Sequence, residues 1–243
     1  MPPIKKDLNQ YNAFLSKLLI FANVDKNDLQ KLFTSMHIHQ FHKGKMMSFN
    51  PEDHANLYIN YEGLFKLSKV DERGKEAILK ICDKNCIVSP MHFSPYCEVS
   101  MDFVKDTTLL CFSKKDINHL IENNHQFTRN MIDFLGSSIQ EMLLMVELLQ
   151  IKNTKEKVGW YLLLSKIDHN LTLPYSKSLI SNFLGIKPES FSRALNELRQ
   201  EGIDISNKKI KLKNGDELCK YCDKITGARC NVFLSKKCIH NPL

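Results

Sequence analysis

Residues 219–238 read CKYCDKITGARCNVFLSKKC, so four of the chain's eight cysteines fall within one short stretch, spaced C-x2-C-x7-C-x7-C, with His240 two residues further on. A C-x2-C pair lets two thiolates reach one metal from a single turn, and two later cysteines complete four-coordination. Cys219, Cys222, Cys230 and Cys238 are therefore a candidate ligand set for a tetrahedral zinc or a four-iron iron–sulfur cluster. The residue types do not choose between these two. Redox-switching thiols and plain tail cysteines stay open beside them. The segment offers few apolar residues of its own (Ile225, Val232, Phe233, Leu234). Bound metal would supply its folding free energy, which is about 10–16 kcal/mol for structural zinc in peptides.

A second stretch with chemistry is YSKSLISNFLGIKPESFSRALNELRQEG, residues 175–202. It divides into a helix over 176–184, a turn at Leu184-Gly185-Ile186, and a second helix with Pro188 in its first turn. Leu179, Ile180 and Phe183 form one apolar face; Phe191, Leu195 and Leu198 form the other. The pattern predicts a helix-turn-helix. Helical phase leaves Glu189, Ser190, Ser192 and Arg193 outside. Arginine reads guanine through O6 and N7, and glutamate accepts from cytosine N4, so this turn suits a DNA groove. The following IDISNKKIKLKNG alternates and turns near Ser206-Asn207, predicting a two-stranded wing with Lys208, Lys209, Lys211 and Lys213 for phosphates. A helical hairpin without a DNA role is the plainer alternative.

The charge distribution favours a polyanionic partner. Residues 187–243 hold twelve Lys/Arg against seven Asp/Glu, hence +5 of the formal +7. The polar start and the absence of a long apolar run predict a soluble, cytoplasmic chain with no membrane partner. In a reducing cytosol the cysteines read as metal ligands, redox groups or core residues rather than a disulfide frame.

Positioning these segments requires a scaffold. Residues 8–36 carry helical spacing. From His37 the period becomes two, with Leu57, Ile59 and Tyr61 on one face of a strand and Gly44, Gly63 and Gly74 at turns. Residues 37–113 therefore predict an antiparallel roll or barrel with DERGKE (71–76) as a hairpin tip. Helical spacing returns near Asn123. Ile132, Leu135, Ile139, Met142, Val146 and Leu149 step by three and four, an a/d seam favouring self-pairing into a homodimer. Met131, Phe134, Met145 and Leu148 flank it, a flank expected to cover the β-domain. A further helix over 154–167 buries WYLLL, and Pro174 ends it.

This order of parts resembles the cyclic-AMP receptor protein and fumarate–nitrate regulator (CRP/FNR) family of transcription factors over about residues 20–213. The resemblance rests on LYINYEGLFKLSKVDERGKE and LGIKPESFSRALNEL. It implies an α+β fold. An N-terminal β-roll of the cyclic-nucleotide-binding type with its helices would span 1–122, a dimerisation helix 123–152, a winged helix-turn-helix 153–215, and a Cys-rich tail 216–243. It implies a regulator, not an enzyme, that binds double-stranded DNA as a homodimer and engages RNA polymerase. Glu189, Ser192 and Arg193 match the positions that read TTGA-like half-sites of an inverted repeat. Ser176 and Lys177 match backbone-contacting positions, with Lys187, Ser190, Lys208 and Lys209 as further phosphate contacts. Lys187-Pro188 departs from the family, which often caps this helix with a hydroxyl residue.

The expected signal departs further. Cyclic-nucleotide binders carry a Gly-Glu pair and a downstream Arg-Ser or Arg-Thr, yet residues 75–128 contain no Gly and no Arg. No cyclic nucleotide is expected. Cluster cysteines near the N-terminus are missing, since the first cysteine is Cys82. Some family members place them after the wing, which implies a redox, oxygen or nitric-oxide signal through the terminal cysteines. Met91, His92, Tyr96 and Cys97 leave a haem-based nitric-oxide sensor as an alternative, and a structural zinc tail with another effector is a second. His37 and His39 share a strand face and are expected to be surface residues; Cys82, Cys86 and Cys111 are expected to fill the roll's core. A thiol oxidoreductase built on CKYC would need a βαβ context, which is not apparent.

Overall fold

The computed structural model describes residues 8–48, 57–89, 99–169, 171–206, 208–214, 216–222 and 226–227. It divides into two compact units, 1–141 and 142–243.

The first unit opens with α1 (Leu8–Leu15), a short 3-10 turn (Leu19–Phe21) and α2 (Lys26–Thr34). Asp25 starts α2 by accepting from the amides of Asn27 and Asp28 at 2.8 and 3.3 Å. A cap of this kind contributes about 1 kcal/mol. Eight strands follow: β1 (His37–Phe41), β2 (Met46–Ser48), β3 (Leu57–Glu62), β4 (Phe65–Val70), β5 (Glu76–Cys82), β6 (Ile87–Val88), β7 (Ser100–Phe103) and β8 (Thr107–Phe112). They form two antiparallel four-stranded sheets, ordered β1-β8-β3-β6 and β2-β7-β4-β5. The roll that period-two spacing predicts is therefore present.

Strand β8 shows why its sequence is apolar on both faces. Leu109 and Cys111 join Phe65, Leu67, Met101 and Phe103 in a core between the sheets. Leu110 and Phe112 point the other way, into a core with Leu57, Ile59 and the helices. Gly63 makes the sharp turn out of β3 at φ +107°, and a Cβ there would lie 2.4 Å from the Asp106 carbonyl oxygen. Only glycine meets both demands.

Helix α3 (Lys114–Asn123), capped by Ser113, precedes the long α4 (His125–Ile151). The sequence reading runs straight from strands to the long helix and misses α3. Its seam residues lie outward: Ile132, Ile139 and Met142 are 63%, 57% and 64% exposed. The flank is corrected in part. Met131 and Phe134 do pack on the first unit's helical core. Met145 and Leu148 instead join the core of the second unit. Cys86 is also corrected: it is half-buried at the edge of β6, whereas Cys82 and Cys111 are buried as expected. His37 and His39 are exposed on β1, and burial together with neighbouring His37 lowers the pKa of His39.

The second unit contains α5 (Thr154–His169), α6 (Lys177–Phe183), α7 (Pro188–Gln200), β9 (Ile203–Ser206), β10 (Lys209–Leu212) and a terminal 3-10 turn (Glu217–Tyr221). Among the described residues no helix is long and apolar enough to cross a membrane.

Candidate nucleic-acid interface

The helix-turn-helix is assembled by one apolar cluster. Trp160, Leu162 and Leu163 of α5, Ile180 of α6, and Phe191, Ala194 and Leu198 of α7 are buried together. Ser176 caps α6 by accepting from the Leu179 amide at 3.2 Å. Gly185, at φ +63°, reverses the chain between the helices. Helix α7 starts differently: Lys187 occupies the cap without a side-chain hydrogen bond, and Pro188 sits in the first turn. This bears out the departure that Lys187-Pro188 signals in the sequence, because proline lacks only an amide that the first turn leaves unbonded anyway.

Burying Phe191, Ala194 and Leu198 forces the intervening positions outward. Glu189, Ser192, Arg193 and Asn196 are all exposed, while Ser190 is half-buried. Glu189, Ser192 and Arg193 make no hydrogen bond or ion pair with the described residues, so their polar ends keep full bonding capacity. Arg199, one turn on, is committed elsewhere: its Nε donates to Asp204 Oδ1 at 2.8 Å, tying α7 to the wing and lowering the Asp204 pKa.

The wing is an antiparallel β9–β10 pair with Lys208, at φ +62°, in its turn. Lys208, Lys209, Lys211 and Lys213 are exposed. A third segment supports it. The Leu173 amide donates to the Lys208 carbonyl at 2.7 Å, the Ile210 amide donates to Leu171 at 2.8 Å, and Thr172 bridges Lys209. Sequence reasoning misses this edge because LTL next to Pro174 is too short for a period.

Two shallow recesses show which candidates meet. One is lined by Lys177, Ser192, Leu195, Asn196, Arg199 and Ile205. The other is lined by Leu173, Tyr175, Ser176, Lys177, Ile205 and Lys208. Lys177 thus stands between recognition helix and wing, bringing together Ser176, Lys177, Ser192 and Lys208. Glu189, Lys187, Ser190, Arg193 and Lys209 lie outside both recesses. Asn196 is an addition to the sequence-derived set; its place three residues after Arg193 on the same face is the signal that could have found it.

Cys219 and Cys222 close the terminal 3-10 turn. The Cys222 amide donates to the Cys219 carbonyl at 3.0 Å, and both residues are half-buried. Two thiols on one turn fit half of a four-thiolate set. Cys230 and Cys238 lie outside the described residues, as do Met91, His92, Tyr96 and Cys97. No group of three ligating side chains assembles among the described residues.

The turn is built into the domain. Leu218 and Tyr221 are buried in the same core as the two helices. A Cβ on Gly159 would lie 2.6 Å from the Tyr221 ring, so glycine in α5 makes room for it. Glu201, the residue that ends α7, accepts from Lys155 Nζ at 2.8 Å, from the Tyr221 hydroxyl at 2.7 Å and from Lys220 Nζ. Burial pushes the Glu201 carboxyl up, but these three donors outweigh it and hold its pKa at about 2. Beyond the turn, Trp160 Nε1 donates to the buried Thr226 hydroxyl at 3.0 Å.

A Crp-like helix-turn-helix domain matches residues 156–221, which takes in α5, the helix pair, the wing and the terminal turn. The chain is 22% identical to the anaerobic regulatory protein of Bacillus subtilis, over 90% of this chain and 99% of that protein. Among solved structures, FixK2 from Bradyrhizobium japonicum is similar with a TM-score of 0.66 and 19% identity, covering 77% of this chain and 98% of that one. A transcriptional regulator assigned to the CRP/FNR family from Eubacterium rectale is similar with a TM-score of 0.61 and 17% identity, covering 81% and 94%. Residues 156–221 thus match a Crp-like helix-turn-helix domain, and with its two-sheet roll and long helix the chain shares the fold of the CRP/FNR-type regulators it is similar to.

Proposed function

We propose that the chain is a DNA-binding transcription regulator of this type, not an enzyme, and acts as a homodimer on an inverted repeat with TTGA-like half-sites. The observation that carries this reading is the row Glu189, Ser192 and Arg193, exposed and uncommitted on the recognition helix beside a lysine-bearing wing. Glu189 accepts from a cytosine amine, Arg193 donates to a guanine edge, and Ser192 bonds an adjacent base. Ser176, Lys177, Lys187, Ser190, Lys208 and Lys209 hold the phosphates and set the register. Two copies of the outward seam on α4 bury one another and fix the spacing of the two half-sites. Promoter-bound dimers then engage RNA polymerase.

The signal enters through the terminal cysteines. Cys219 and Cys222 would hold one side of an iron–sulfur cluster or a zinc ion, with Cys230 and Cys238 as the other ligands. Such a cluster supplies sensitivity to oxygen, nitric oxide or redox state. The chain's own contribution is the connection between the turn and α7 through Glu201. Support comes from the two thiols on one turn within the DNA-binding domain.

The test combines anaerobic purification with a gel shift on a TTGA inverted repeat. A broad visible absorption that bleaches in air, with iron and sulfide bound, and DNA affinity that changes with it, is the expected result. Zinc with a featureless spectrum makes the tail structural. A sharp Soret band moves the signal to the 91–97 loop. Cys219→Ser and Cys222→Ser proteins with unaltered metal content and unaltered DNA affinity, in air and without it, would overturn the tail as the sensor.

A further inference from the structure

The β5–β6 turn of the roll brings two further cysteines together, independently of the tail. Cys82 ends β5 and is fully buried; Cys86 precedes β6 and is half-buried. Cys82 lies in the core between the two sheets, and Cys86 packs against that same core. One residue holds both backbones in place. The buried Asn60 donates its amide to the Cys86 carbonyl at 2.9 Å and its side-chain amide to the Cys82 carbonyl at 3.3 Å. The turn is closed further by the Cys86 amide donating to Asp83 at 3.1 Å and by Asn85 donating to Asn60 at 2.9 Å. Asn85 takes a left-handed conformation, φ +71°, to complete it.

A cation stands beside the pair. Lys80 pairs with Glu141 of α4 at 3.1 Å. Burial opposes its ammonium, but its neighbours Cys86 and Glu141 outweigh that and raise its pKa. Partial exposure next to a lysine is the setting of a reactive thiol, whereas the buried Cys111 is in the setting of an inert one.

We propose that Cys82 and Cys86 are a dithiol oxidation site that takes a hydroperoxide as its oxidant. Cys86, the reachable sulfur, attacks one peroxide oxygen as thiolate. The O–O bond breaks, the alcohol or water leaves with one proton, and Cys86 becomes a sulfenic acid. Cys82 then attacks the Cys86 sulfur, the S–O bond breaks, and the hydroxyl leaves as water with the Cys82 proton. The two thiols have lost two electrons and two protons, and one peroxide has become one water and one alcohol or second water. A small dithiol reverses the step by exchange. The site lies in the first unit and needs no metal.

The experiment is peptide mapping of the full chain after about one equivalent of hydrogen peroxide, with free thiols blocked by iodoacetamide. Trypsin cuts after Lys84, so the bond joins peptide 81–84 to peptide 85–105. The expected result is this linked pair, mapped by fragmentation to Cys86 rather than Cys97, lost on dithiothreitol treatment, with Cys111 remaining a thiol. Cys82→Ser should leave Cys86 as a dimedone-trapped sulfenic acid. Should that protein fail to fold, Cys86→Ser is read instead, and Cys82 should then stay unoxidised. Alkylation of both Cys82 and Cys86 after peroxide, or a bond from Cys82 to another cysteine, would overturn the proposal.

Discussion

The Tyr221 hydroxyl donates to Glu201 Oε2 at 2.7 Å, joining the residue inside the C-x2-C turn to the residue that ends the recognition helix. Lys220, the other residue inside the turn, bonds the same oxygen. Any event that reshapes the turn thus reaches α7 through one carboxylate, and the strength of that link is measurable.

The Glu201 carboxyl is held down at about 2, so the sign of its contribution follows. Its stabilisation is complete above the ordinary carboxylate range and is lost as pH falls toward that value. Glu201→Gln should cost about 1–2 kcal/mol at neutral pH, with the difference from the parent shrinking as acid protonates the parent's carboxylate. Urea unfolding across this pH window checks it. A difference constant with pH would show that the carboxylate is not held by its donors.

Gly159→Ala places a methyl against the Tyr221 ring, at a site where a Cβ would come within 2.6 Å. Overpacking of this kind costs about 1–3 kcal/mol. The melting temperature should fall, and tyrosine fluorescence or near-ultraviolet circular dichroism should report a displaced ring.

Base reading and phosphate holding separate by salt. Arg193→Ala should weaken binding to the inverted repeat by about 1–3 kcal/mol, roughly 5- to 150-fold, and relax preference at one base pair. Lys209→Ala should weaken binding to all sequences alike and lower the salt-dependence slope by about 1. Gel shifts over a salt series on matched and mismatched sites distinguish the two.

Ile139 is more than half exposed on α4, so Ile139→Glu removes little apolar burial within the chain. It should leave the melting temperature of the folded protomer little changed while shifting sedimentation from dimer to monomer and abolishing tight binding to the inverted repeat. Sedimentation unchanged from the parent would place the dimer contact elsewhere.

Much of this molecule was legible in its sequence where a local period carries the information. The steps of Ile132–Leu149 predict an outward seam, and the seam is outward. Phe191, Leu195 and Leu198 predict which face of α7 is hidden, and hence that Glu189, Ser192 and Arg193 are displayed. Alternation predicts β3, and positive φ at Gly63 and Gly74 follows from their turn positions. Helix α3 was missed because Lys114–Asn123 is strongly polar, with Ile117 and Leu120 as its buried residues.

What residue order alone determines is the class of each segment and the face it turns inward, because both follow from backbone periodicity and the transfer of apolar side chains from water. Tertiary structure decided the rest. That Leu218 and Tyr221 belong to the DNA-binding core, that Trp160 bonds Thr226, that Glu201 gathers Lys155, Lys220 and Tyr221, and that Asn60 holds Cys82 and Cys86 together all depend on residues far apart in the chain. A hydrogen bond across such a distance leaves no period in the sequence; it exists only once packing has brought donor and acceptor within about 3 Å.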